Sequence, residues 1–301
     1  MLQKPKKYLR LEDHFRLSRV AFVNGQYCDY SNALIHVEDR GYQFADGVYE
    51  VFTVVNKKIV DFKPHIDRLY RSLLELNIKS PIVKSAYLPH IKNIIKKNLI
   101  INGTVYLQIT RGVAPRDFKY KKNMKSSITI IGKIIPDHIF QKPIQDGIKV
   151  ITTKDIRWGR CDIKSLNLLA PVLAKQTAHN SGATEAWLID DAGYITEGSS
   201  SSAWLLDKKN VLRTASLKTN ILSGVTRNTL LKGLIKNKIK FKEESFKLSE
   251  IKHAKEAFIT SATTFVTPVI KVDKIRVGNG KPGKLAPIFL DIYKKAANYK
   301  D

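Results

Sequence analysis

The chain has 301 residues, 43% of them apolar, which suffices for one large or two ordinary domains with real hydrophobic cores. A surplus of 52 Lys and Arg over 27 Asp and Glu gives a formal net charge of +25, so a basic nucleic-acid-binding protein stands as one reading. No apolar run approaches a membrane span, and Cys28 and Cys161 lack CxxC or metal-type spacing, which argues against a disulfide framework or a zinc site.

The N-terminal MLQKPKKYLRLEDHFRLSRV has no continuous apolar segment of the signal-peptide kind, and Glu12 and Asp13 interrupt a transit-peptide pattern, so a cytoplasmic location is expected. Residues 1–19 read as a basic extension. Val20 to Tyr27 reads as a strand, and so does Val48 to Val60, broken by a turn at Asn56-Lys57. Pro64 opens a helix running to Leu76, and a second helix pattern covers Lys84 to Leu99. Gly103 leads into a strand from Thr104 to Thr110, and Ser126 to Ile135 gives another. Pro136 to Gly147, with two prolines and a glycine, is the predicted linker. A new block of strands and helices starts at Ile148. The expected organisation is a smaller α/β domain over 20–136, a linker over 137–147 and a larger domain over 148–301, with a site in the crevice between them. The lysines fall on surface-helix patterns such as Ile91 to Leu99 and Leu230 to Lys242. With no recognition module and no base-stacking aromatic set beside them, a solvated surface is the simpler account of the charge.

Chemistry concentrates between Arg157 and Ser202. Lys164 precedes an amphipathic helix, and Glu197 is expected in a Gly/Ser turn between two strands. An amine for an aldehyde, and a carboxylate to keep a ring nitrogen protonated, are what a covalently held pyridoxal phosphate needs. Gly224 to Arg227 (GVTR) leads into the helix pattern Asn228 to Lys236, whose free N–H groups suit a phosphate, and Thr226 adds a hydroxyl; an ordinary threonine cap reads the same way. The cluster Thr260 to Thr264 follows a strand-like run and reads equally as a polar turn. Arg68 lies beside Ile66 and Leu69 on the first helix, where it either solubilises the surface or points inward to a phosphate. Tyr49 and Tyr106 fall in strand patterns, and Arg116 sits in the loop TRGVAPRDFKY.

Seven segments occur in order: EDRGYQFADGVYEVF, HIDRLYRS, QITRGVAPR, RWGRCDIKSLNLL, ITEGSSSSAW, ILSGVTR and ITSATTFVTPV. From about Val20 onward the chain resembles the class IV, fold-type IV pyridoxal-phosphate aminotransferases, and most nearly the bacterial D-amino-acid (D-alanine) aminotransferases. The resemblance implies a two-domain α/β fold and a homodimer that exchanges amino groups between a D-amino acid and a 2-oxo acid such as 2-oxoglutarate or pyruvate. It makes Lys164 the cofactor-bearing and proton-shuttling lysine, and Glu197 the partner of the ring nitrogen. Arg68, Leu222, Val225, Thr226 and the Ser261, Ala262, Thr263 turn would hold the cofactor and its phosphate, with Ala262 where threonine is usual. Ser199, Ser200 and Ser201 would line the pocket and orient Glu197 or the ring. Tyr49, Tyr106 and Arg116 match the substrate-carboxylate trap, with Arg116 reaching in from the partner subunit. Phe118 stands where these enzymes commonly carry histidine, and a phenyl ring donates no hydrogen bond. Branched-chain aminotransferases and aminodeoxychorismate lyase are similar in scaffold; the VAPR loop favours the D-specific enzyme.

Overall fold

The computed structural model describes residues 19–299, so the basic extension expected over 1–19 lies outside the described residues except for Arg19. The first sheet is built from β1 (Val20–Val23), β2 (Gln26–Asp29), β3 (Gly47–Val55), β4 (Lys58–Ile59), β5 (Gly103–Thr110) and β6 (Ser127–Ile134), in the order β2-β1-β6-β5-β3-β4 and antiparallel throughout. The strand expected from Val20 to Tyr27 is a hairpin instead. Asn24 and Gly25 both take positive φ, 47° and 96°, as a two-residue turn matching the twist of the flanking strands requires.

The helices of this unit are α1 (Arg40–Phe44), α2 (Phe62–Glu75) and α3 (Tyr87–Lys97). Ile66, Leu69 and Leu73 on α2 and Ile91, Ile94 and Ile95 on α3 recur at helical spacing and bury against Val48, Phe52, Val105, Leu107, Ile128 and Ile130 of the sheet. The alternation of β3 sends Val48, Glu50 and Phe52 under the helices, while Tyr49 and Val51 face a cavity on the other side.

The segment expected as the linker contains a helix, α4 (Asp137–Asp146), with Pro143 inside it. Pro136 occupies the cap position, where a missing N–H costs nothing, and Pro143 forfeits one ladder bond. Ile144 packs against the second unit's core, which offsets that loss.

The second unit contains α5 (Leu169–Asn180), α6 (Val225–Lys236), α7 (Leu285–Ala296) and the strands β7 (Ile148–Lys154), β8 (Glu185–Ile189), β9 (Tyr194–Gly198), β10 (Ser202–Leu206), β11 (Leu212–Thr214), β12 (Phe241–Glu243), β13 (Phe246–Lys247), β14 (Glu256–Ser261), β15 (Phe265–Val272) and β16 (Ile275–Arg276). They form a mixed ten-stranded sheet, β12-β11-β10-β14-β15-β7-β8-β9-β13, with β16 on β15. One face carries Trp187, Ile195, Leu205 and Ile259; the other packs Trp204 and Phe258 against Leu230 and Leu234 of α6 and Phe289 of α7. On α5 only Ala174 and Ala178 turn inward, leaving Leu169, Val172 and Leu173 exposed. Among the described residues no helix is long and apolar enough to cross a membrane.

Candidate active site

A cavity of about 220 Å³ is lined by Tyr49, Val51, His65 and Arg68 from the first unit and by segments around 157–171, 197–202, 222–226 and 260–263 from the second. Lys164 is the one lysine among its lining residues. The loop that carries it is strapped to the first sheet, since Tyr49 N–H donates to the Lys164 carbonyl at 3.0 Å and Leu166 N–H to that of Gly47 at 3.0 Å. Lys164 Nζ donates to the Tyr49 hydroxyl at 3.2 Å. Tyr49 therefore holds the amine at the cavity surface.

Glu197 lies across the site, within β9 rather than in the turn after it as the sequence suggests. The ladder continues through Gly198 because Trp187 of β8 pairs with it. Glu197 is 5% exposed, and both of its donors, the Leu222 N–H at 3.0 Å and the Arg157 guanidinium, converge on Oε1. No donor among the described residues reaches Oε2. Burial pushes this carboxyl above its ordinary range, and Arg157, followed by the Leu222 N–H and Lys164, opposes that shift. Asp155 in turn grips Arg157, accepting from Nε at 2.9 Å and from a terminal nitrogen at 2.7 Å, and Thr196 donates to the same carboxylate.

Arg68 points inward from α2 and lines the cavity. Glu50 clamps it with two bonds of 2.8 Å, His65 Nδ1 lies 2.7 Å from the same carboxylate, and the third guanidinium nitrogen donates to the Ser223 carbonyl at 3.0 Å. Burial would raise Glu50, but the Arg68 charge and hydrogen bonds, followed by His65, override it and hold the carboxyl at about 2. The sign follows directly. A depressed acid adds stability above its ordinary 4.5 and loses it as pH falls toward 2. Glu50→Gln should therefore flatten the acid limb of a Tm-against-pH curve between those values and cost about 3–5 kcal/mol at neutral pH by leaving Arg68 buried without its counter-charge. An unchanged curve in thermal unfolding would refute the pairing.

Next to Arg68, Gly224 caps α6, and the first-turn N–H groups of Val225 and Thr226 lie at the cavity wall with no intrahelical acceptors, as at any helix start. The Ser261, Ala262, Thr263 turn completes this wall. The Ser261 hydroxyl is engaged with Thr264, and the Ala262 carbonyl accepts from Thr53 at 2.5 Å, which ties the turn to β3. Phe265 just beyond takes φ +53°, a costly conformation for a bulky residue, at the point where the chain turns back into β15. Ser199, Ser200 and Ser201 line the cavity, but their hydroxyls all donate to the buried carboxylate of Glu185 and not to Glu197.

Three expected residues are not brought into this cavity. Tyr106 stacks on Tyr49 at 5.6 Å between ring centroids and donates to Gln108. Arg116 and Phe118 lie on an exposed loop away from it; Arg116 sits over the Phe44 ring, and Phe118 is 85% exposed. Sequence reasoning assigned nothing to Glu50, Asp155, Arg157 or Glu185. For Glu50 a signal existed, a carboxylate on the apolar face of a strand. Arg157 and Glu185 gave none, because their partners lie 40 and 14 to 16 residues away.

Such a donor set suits a bound anion beside Arg68 and α6, an amine-reactive group at Lys164 and a ring N–H at Glu197 Oε2. Comparison with known proteins agrees. The amino-transferase class IV family pattern matches residues 47–272. The D-alanine aminotransferase of Bacillus licheniformis is 40% identical over 262 residues, covering 87% of this chain and 91% of its own, and that of Staphylococcus haemolyticus is 38% identical over 267 residues, covering 87% and 92%. Among solved structures, the branched-chain amino acid aminotransferase of Escherichia coli superposes with a TM-score of 0.83 at 19% identity, over 95% of this chain and 96% of that one. The T.th. branched-chain amino acid aminotransferase with pyridoxamine 5'-phosphate gives 0.86 at 20%, over 94% and 96%. At that identity the likeness speaks for the fold, which is the fold-type IV aminotransferase fold. The chain is a member of the class IV aminotransferase family.

Proposed function

We propose that this pyridoxal-phosphate-dependent transaminase acts on D-amino acids such as D-alanine, passing the amino group to a 2-oxo acid, 2-oxoglutarate or pyruvate, in two half-reactions. The observation that carries the reading is the pairing of Lys164 with a buried Glu197 whose Oε2 meets no donor among the described residues, in a chain 35–40% identical to several proteins named D-alanine aminotransferase. Pyridoxal phosphate, when bound, supplies an aldehyde that condenses with amines and a ring that accepts electrons.

The chain's own residues do the rest. Arg68, the Val225 and Thr226 N–H groups and the 261–263 turn hold the phosphate, and Leu222 holds Glu197 in place. Glu197 keeps a proton at the ring nitrogen. Lys164 removes the proton at substrate Cα and returns one on the reverse half. Tyr49, backed by Tyr106, holds the substrate carboxylate with Arg116 of a second subunit, and Phe118 adds no donor to that grip. The two sheets form two domains, over 20–136 and 148–301, joined through 137–147 with the site between them. The chain works as a homodimer in this reading, in which a partner subunit covers exposed apolar side chains such as Leu34, Val37, Tyr42, Phe118 and Leu169. Location in the cytoplasm is consistent with two free cysteines.

Arg116→Ala should raise KM for D-alanine ten- to a hundredfold, about 1.5–3 kcal/mol for a charge-assisted contact, with kcat little changed. Steady-state kinetics on D-alanine, D-glutamate, L-leucine and L-valine test both points. Rapid turnover of L-leucine with none of any D-amino acid would place the enzyme with the branched-chain group.

A further inference from the structure

Arg40 is 4% exposed and lies on α1, away from the cavity, yet every donor group of its guanidinium is engaged. Nε donates to Asp46 at 2.8 Å. One terminal nitrogen donates to the Asp117 carbonyl at 2.6 Å and approaches that of Lys119 at 3.5 Å; the other donates to the Phe118 carbonyl at 3.3 Å. Asp46 also holds Arg111 at 2.8 Å, and Arg111 donates to the carbonyls of Leu76 and Asn77 at the end of α2. The Tyr120 ring lies 3.7 Å from the Arg111 guanidinium and 5.7 Å from that of Arg40.

The result is a chain of contacts from α2 through Arg111, Asp46 and Arg40 to the backbone of residues 117–119. Arg116 immediately precedes this clamped stretch, and among the described residues its side chain touches only Gln43 at 3.5 Å and the Phe44 ring. Fixing three consecutive carbonyls just after Arg116 sets where its guanidinium can reach. It leaves the side chain free to engage something outside its own chain.

We infer that Arg40 is a positioning residue for substrate recognition, fixing the loop through which Arg116 grips the substrate carboxylate in the neighbouring subunit's site. This rests on the role proposed above for Arg116. A lysine at position 40 keeps the charge and the pairing with Asp46, but a point ammonium does not span Asp46 and the 117–119 carbonyls as the planar fork does. The loop loses its register while the cofactor wall, built from Arg68, α6 and the 261–263 turn, is untouched.

The test uses the holoenzyme. Arg40→Lys should raise KM for D-alanine and for 2-oxoglutarate about tenfold with kcat within about twofold. Pyridoxal phosphate should titrate the apoenzyme at the parent midpoint. Arg40→Gln, whose amide still donates to a carbonyl, carries the same expectation if the lysine variant does not fold. The decisive measurement is a hybrid dimer pairing an Arg40→Lys subunit with a Lys164→Ala subunit. Its one competent Lys164 then receives a loop braced by an intact Arg40, so KM should return to the parent value. A merely structural defect would persist in the hybrid. Parent-like KM in the Arg40→Lys homodimer, or elevated KM in the hybrid, overturns the inference. Parent-like KM in Arg116→Ala would instead overturn the reading of the loop, and this inference with it.

Discussion

Replacing Lys164 with alanine should lower turnover by about 10⁴-fold or more, because the variant loses both the amine that anchors the cofactor and the group that moves the Cα proton. The chain has 39 lysines, yet Lys164 is the one lysine among the residues lining the cavity, so the assignment is sharp. Purified parent protein should absorb in the near-visible, borohydride should bleach that band, and peptide mapping should find the reduced cofactor on Lys164. In Lys164→Ala the covalent label should vanish while non-covalent cofactor binding persists through Arg68 and α6. A label on another lysine, or a fully active Lys164→Ala, would sink the assignment.

Glu197→Gln should keep the cofactor bound and slow the proton-transfer step about 10²- to 10³-fold, the scale seen when one preorganised electrostatic partner of a reaction is removed. The amide oxygen can still accept from Leu222 and Arg157, so the local structure survives. Its NH₂ then replaces Oε2, the oxygen that none of the described residues occupies, and presents a donor where the ring nitrogen needs an acceptor. Burial holds the Glu197 carboxyl above its ordinary value, so the parent rate should fall as pH drops through that raised value, where the carboxylate protonates. The glutamine variant has no such group and should lack that limb. Single-turnover measurements across pH check both statements. A variant that turned over like the parent would leave Glu197 a structural role only.

Much of the frame was legible in the residues. The 3.6-residue spacing of Ile66, Leu69 and Leu73 set the buried face of α2, and Gly224 marked the start of α6. Where local reading erred, a nearby contact outweighed a local preference. Asn24-Gly25 split a strand through its own turn geometry, and pairing with β8 drew Glu197 into a strand.

The sequence by itself determined which chemistry the chain carries: the order of seven segments, with Lys164, Glu197, Arg68 and the helix start at Val225 among them. The tertiary structure decided how those groups are held and aimed. Arg68 is positioned by Glu50 and by Ser223, 155 residues away, and Glu197 by Arg157 and Leu222, which leave Oε2 without a donor among the described residues. It also turned the three serines toward Glu185 and Arg116 away from the cavity of its own chain. The physical reason is that a hydrogen bond or ion pair is set by distance in space, and periodicity along a chain records which face a side chain occupies but not which distant group the fold brings opposite it.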